Sequence, residues 1–154
     1  ATPGLALQVG QVQVTVVSAL DVPTVSLGDA EESSGENDGS VVTRIDTGRI
    51  VVLATGDIEL AGQSAVLNSG QLLAADVLIV PHHGSARQTP ELFAAAGAPI
   101  ALIGVGKNTY GHPSATALRE LAQAGSRVFR TDTEGSIAVT PTDTGLDVTT
   151  ERPG

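Results

Sequence analysis

The stretch ADVLIVPHHGSARQTPELFAAAGAPIALIGVG (75–106) restricts the possible folds of this chain more than any other part of it. Two of its runs, DVLIVP (76–81) and PIALIGVG (99–106), are apolar without alternation. Runs so short and so uniformly apolar read as strands covered on both faces. Between them, TPELFAAAG (89–97) reads as a helix, with Thr89 as N-cap, Pro90 at the first position and Gly97 as its stop. HPSATALRELAQAG (112–125) predicts a second helix, with Pro113 near its start, Gly125 past its end and Ala117, Leu118 and Leu121 as its buried stripe. The unit is therefore β-α-β-α, and RVFRTD, SIAVTP and LDVTTE follow as short strands.

Upstream the pattern changes. Residues 5–18 alternate apolar and polar around a turn at Gly10, as a half-buried sheet requires. VVTRID (41–46) and RIVVLAT (49–55) flank Thr47-Gly48 and predict a hairpin. Residues 62–73 predict a short helix weakened by Gly62 and Gly70. Residues 20–39, rich in acidic side chains, Gly and Ser, predict an acidic flexible loop. The expected fold class is α/β (α+β), a mixed sheet with helices on one face. Such a sheet needs a cover on its other face. Val12, Val14 and Val16 define one face, and no partner layer for it is visible in the sequence.

Composition narrows the chemistry. Aromatics are 2% of the chain, so its core must be aliphatic. There is no cysteine, which removes disulfides and thiolate metal sites. The net charge of -9 argues against a passive nucleic-acid binder, whose affinity comes from neutralising phosphates. It leaves open an enzyme that meets phosphates through metal ions. No apolar run approaches the ~20 residues of a membrane span, and no signal peptide is visible at Ala1. The chain is expected to be soluble.

Three strand ends carry unusual polar residues: RIVVLATGD ends in Asp57, LIVPHHGS in His82 and His83, and IGVGKNTYGHP in Asn108, Tyr110 and His112. Each has a plain explanation. Asp57 fits a turn or helix cap, the His82-His83 pair fits two turn residues, and His112 fits an N-cap beside Pro113. Taken together, a carboxylate and imidazoles at successive strand ends are the donors that zinc, manganese or iron use.

Five segments in order match one known pattern. They are Asn37-Asp38-Gly39-Ser40, Thr55-Gly56-Asp57, ADVLIVPHHGS (75–85), NTYGHP (108–113) and RTDTEGSI (130–137). In these segments the chain resembles the C-terminal part of the metallo-β-lactamase-like domain of the ComEC/Rec2 family, the DNA-uptake (competence) proteins of transformable bacteria. The resemblance runs from about residue 5 to 139. It implies the C-terminal half of an αββα sandwich, with 1–154 forming a single domain or half-domain. The HxHxDH metal-binding loop of such enzymes has no counterpart here: the chain has three histidines, none before His82.

The resemblance also implies roles. Asp57 matches the carboxylate that bridges two metals, and His83 matches the metal-binding histidine, with His82 beside it touching substrate or metal-bound water. Asn37, twenty positions before Asp57, stands where related enzymes place another histidine ligand. Ser85, Asn108, Tyr110 and His112 would line the substrate cleft. The complete domain would be a metal-dependent phosphodiesterase or DNase holding two zinc or manganese ions about 3.5–4 Å apart. Its substrate would be the DNA strand degraded during uptake. Its partner would be the rest of the parent membrane channel, with the domain on the extracytoplasmic face. The isolated chain is expected to bind metal weakly or not at all, to be inactive, and to form homodimers through an uncovered sheet face. Two other functions compete: a non-catalytic structural or interaction module of the channel, and a hydrolase of the same fold acting on another substrate.

Overall fold

The computed structural model describes residues 1–21 and 34–153. The centre of the acidic 20–39 stretch lies outside those residues. Its end departs from the expected loop: Ser34–Asp38 is a short helix, α1.

Seven strands form one mixed sheet in sequence order. They are β1 (Ala6–Val9), β2 (Val12–Ser18), β3 (Val42–Asp46), β4 (Val51–Ala54), β5 (Val77–Ile79), β6 (Ile100–Ile103) and β7 (Arg127–Arg130). β1 to β4 pair antiparallel, with the hairpin turns at Gly10 and Thr47-Gly48 where the sequence predicts them. β4 to β7 pair parallel. Their crossovers are α2 (Leu60–Leu67), α3 (Pro90–Ala96) and α4 (Ala115–Gln123). Each crossover leads to the next strand in the same direction, so the right-handed rule for such connections puts all three helices on one face.

Strand periodicity separates two apolar layers. Leu53, Leu78, Ala101 and Ile103 are buried with Ile58, Val66, Leu92, Phe93 and Leu121 of the helical side. The alternate residues Val77, Ile100 and Phe129 face the other way and pack with Val52, Ile79 and Leu102. That second layer also includes Ile137, Val139, Leu146 and Val148 of a separate hairpin, β8 (Ile137–Pro141) and β9 (Leu146–Thr150). The cover that the sequence does not reveal is thus partly supplied by the chain's own last strands. It does not extend to the antiparallel end, where Leu5, Leu7 and Val9 remain exposed.

The helix signals hold with shifted ends, and the helix expected over 62–73 spans only Leu60–Leu67. Gly97 ends α3 in a left-handed conformation (φ 54), as its position predicts. Thr89 makes no side-chain cap; its N–H instead donates to Oε1 of the buried Gln63 (2.7 Å). Ser114, rather than His112 or Pro113, caps α4, its hydroxyl accepting from the Ala117 N–H (3.0 Å). The segment after β7 adds a helical turn, α5 (Thr131–Glu134), whose first two residues the sequence assigns to the RVFRTD strand.

Candidate functional site

Three neighbouring strand ends converge because backbone groups join them. After β4, Gly56 turns with φ +60, and its carbonyl accepts from the His82 N–H (3.1 Å) after β5. After β5, the Gly84 carbonyl accepts from the Ser114 N–H (2.8 Å) at the start of α4. Both glycines are required. A Cβ on Gly56 would lie 2.8 Å from the Cβ of Ser40, and one on Gly84 would lie 2.8 Å from the Cβ of Pro113. Both also have positive φ, where only glycine is unstrained.

The paired histidines occupy the turn Pro81–Gly84 between these contacts. Both are left-handed, His82 at φ 47 and His83 at φ 53. Such a conformation costs a non-glycine residue roughly 1–2 kcal/mol, and backbone strain of this kind concentrates at functional sites. Its effect here is to send two adjacent imidazoles into different surroundings. His82 is 9% exposed, and its Nδ1 lies 3.3 Å from Oε1 of Glu59. That is within ion-pair distance but off hydrogen-bond geometry. His83 is half exposed and faces Asp57, with its Nε2 3.8 Å from Oδ1.

Asp57 and His83 face each other across the rim. Nδ1 of His83 lies 2.6 Å from the Gly104 carbonyl, which can only accept. Nδ1 must therefore carry a proton to make this bond, and the other ring nitrogen, Nε2, faces Asp57. The 3.8 Å separation is too long for a hydrogen bond. It suits two donors on one cation, which sit about 3–4 Å apart at zinc bond lengths. Asp57 is itself held in place, its N–H donating to the Ser40 hydroxyl (3.1 Å). Among the described residues no group of three or more His, Asp or Glu side chains comes together to hold a metal.

The other predicted residues divide. His112 and Tyr110 line a cleft of about 320 Å³ together with His83. The three imidazole rings are contiguous, His82 lying 6.2 Å from His83 and 5.5 Å from His112 between centroids. Asn108 also borders the cleft, but both ends of its amide serve the loop. Nδ2 donates to the Gly106 and His112 carbonyls (2.9 and 2.8 Å), and Oδ1 accepts from the Gly111 and His112 N–H groups (3.0 and 3.1 Å). Ser85 is buried, its hydroxyl accepting from the Arg87 N–H (3.3 Å) and the Gln88 amide (3.4 Å). Asn37 donates to Oε1 of Glu59 (3.4 Å) and makes no hydrogen bond to Asp57 or His83.

Glu59 and Arg87 do not stand out in the sequence. Glu59 is 3% exposed and receives Nη1 of Arg87 at 2.6 Å on Oε2, while Oε1 meets His82 and Asn37. A buried carboxylate with three partners supports the turn from behind. Its only sequence signal is its place two residues after Asp57. Asp38, which the sequence marks only as part of the Asn37-Asp38-Gly39-Ser40 segment, is likewise a supporting residue. Its Oδ1 accepts from the Glu59 and Gly62 N–H groups (2.8 and 2.7 Å) and so caps the start of α2.

Fold and site together define a mixed α/β domain whose polar residues gather where parallel strands end, the usual place for ligands in such sheets. No protein-family model matches the chain. Two relatives do. ComE operon protein 3 of Bacillus subtilis (strain 168) is 39% identical over 111 residues, which is 71% of this chain and 14% of that protein. Competence protein ComA of Neisseria gonorrhoeae is 30% identical over 106 residues, 66% of this chain and 15% of that protein. The chain is therefore related to competence proteins, and the matched region spans about one seventh of their length.

Proposed function

We propose that this chain is part of a metal-dependent phosphodiesterase domain of the metallo-β-lactamase type, within a competence DNA-uptake protein associated with a membrane. The observation that carries this reading is the Asp57–His83 pair, with Nδ1 of His83 tied to the Gly104 carbonyl and Nε2 left towards the carboxylate. Those two residues would hold zinc or manganese, with further donors from outside the described residues. Bound there, the cation would supply a Lewis acid and an activated water for phosphodiester hydrolysis. The chain's own groups orient the chemistry. Gly104 sets the His83 tautomer, Ser40 holds Asp57, and Glu59 with Arg87 supports the turn that carries both histidines.

A second reading, a non-catalytic module of the same parent, draws on Asn37. Its amide is engaged with Glu59, and an amide is a weak zinc donor. Among the described residues no helix is long and apolar enough to cross a membrane, so membrane association would come from elsewhere in the parent. Calorimetric titration with zinc and with manganese separates the readings. The phosphodiesterase reading expects weak binding to this chain that His83→Asn and Asp57→Asn each abolish. Binding unaffected by both substitutions would overturn the assignment of the pair.

A further inference from the structure

The cleft beside His83 contains the chain's one lysine and its one tyrosine, Lys107 and Tyr110, three positions apart on the loop between β6 and α4. We propose that these two side chains grip a single nucleotide of an unpaired nucleic-acid strand, the ammonium holding a phosphate and the phenol ring stacking under the base. The proposal deepens the phosphodiesterase reading and rests on its assumption that the substrate is nucleic acid.

Charge is the first support. In a chain of net charge -9 the overall field opposes a phosphodiester. All seven arginines are engaged: three with carboxylates, one over the Phe129 ring, and three with carbonyl or hydroxyl oxygens. Lys107 makes no ion pair or hydrogen bond among the described residues. Of their Lys and Arg side chains it is the one left to a ligand, and it lies on the wall that His83 shares.

The aromatic ring is the second. Phe93 and Phe129 are buried at 1% and 3% exposure, whereas Tyr110 is 71% exposed. An aromatic so exposed is not explained by burial in the core. Its ring lies 6.2 Å from that of His112 between centroids, tilted by 32°. Base stacking on such a ring requires a base that is not already paired and stacked, which selects a single strand.

The third support is preorganisation. The four hydrogen bonds of Asn108 fix the loop between Lys107 and Tyr110 before any ligand arrives, lowering the entropy lost on binding. A Cβ on either Gly104 or Gly106 would meet nothing within 4 Å, so the backbone there is open to close approach. The cleft volume of about 320 Å³ lies at the small end of ligand sites, which fits one nucleotide better than a duplex.

The test is a metal-free NMR titration of the full chain with the trinucleotide dT3, with an abasic analogue and with a short hairpin duplex. Shifts at Lys107 and Tyr110 are expected with dT3, weaker ones with the abasic analogue, and the weakest with the duplex. Tyr110→Ala should weaken dT3 binding by about 5- to 100-fold and leave abasic binding unchanged. Lys107→Ala should weaken both and reduce the slope of log affinity against log salt by about 0.7, with Lys107→Arg restoring it. Absence of shifts in the wild-type chain, tighter binding of duplex than of dT3, or unchanged dT3 affinity in both alanine variants would each overturn the proposal. Metal binding at His83 that survives such a result leaves the phosphodiesterase reading standing. Conversely, a chain that grips dT3 as described but loses no metal affinity on His83→Asn supports the nucleotide grip and removes the metal assignment.

Discussion

The rim at the carboxyl ends of β4 and β5 and the β8–β9 hairpin on the opposite sheet face are stabilised in contrasting ways. The rim is specified atom by atom. Two glycines stand where a Cβ would collide, two histidines adopt strained φ, and a buried glutamate meets three polar partners. The hairpin is specified only by alternation. Ile137 and Val139 of one strand, and Leu146 and Val148 of the other, pack partly buried against Val77, Ile100 and Phe129. Packing of that kind tolerates exchange among apolar residues of similar volume. The rim does not, because its geometry depends on single atoms. Precision is thus concentrated where the candidate chemistry lies.

The largest expected effect tests the hairpin side. Phe129→Ala, in a residue 3% exposed, should cost about 3–5 kcal/mol in urea unfolding. It should leave the imidazole NMR signals of His82 and His83 in place; their movement would show that the two regions are coupled. Gly84→Ala tests the rim and should cost about 2–4 kcal/mol, combining positive-φ strain with the Pro113 clash. Here the histidine signals should move, and a neutral result would show that the rim is looser than described.

Glu59→Gln keeps the volume but removes the charge that meets Arg87 and His82, and a loss of about 1–3 kcal/mol is expected by thermal or urea unfolding. His83→Asn should be nearly neutral in stability, within about 1 kcal/mol, since asparagine tolerates the left-handed conformation. Under the proposed metal assignment, calorimetry should nevertheless show zinc binding lost, which separates the assigned role from stability at one position.

The smallest effect concerns acid. The Arg130 guanidinium, hydrogen-bonded to Asp132 at 2.6 Å, holds that carboxyl below its ordinary value of 3.8. A carboxyl with a lowered folded value stabilises the fold above its unfolded value, and that contribution is lost as pH falls through the folded one. Asp132→Asn should therefore slightly flatten the decline of stability below about pH 4, as read from thermal unfolding against pH. An unchanged acid limb would show that solvent screens the pair completely.

Much of the architecture is legible in the chain because it depends on periodicity and punctuation, which are local. The uniform apolar runs at β5 and β6, Pro90 and Gly97 around α3, and the Thr47-Gly48 turn each act within a few residues. The α5 turn is not legible, because RTDTE has no apolar period. It is held by Glu134, whose Oε2 accepts from the Arg130 N–H (2.6 Å). In the site, the types Asp57, His82, His83, Tyr110 and His112 stand out, but their neighbours do not. Glu59 and Arg87 are 28 residues apart, and nothing local signals that they meet.

By itself, then, the sequence determined the order of strands and helices, the aliphatic core, and the strand ends where polar residues would gather. Tertiary structure alone decided how those residues divide. It turned His82 inward to Glu59 and His83 outward to Asp57, engaged Asn108 and Ser85 in holding loops, and placed Lys107 beside the cleft with no partner among the described residues. The reason is physical. Secondary structure follows from the preferences of adjacent residues. The direction a side chain takes from a strained turn depends on hydrogen bonds to carbonyls and carboxylates far away in sequence.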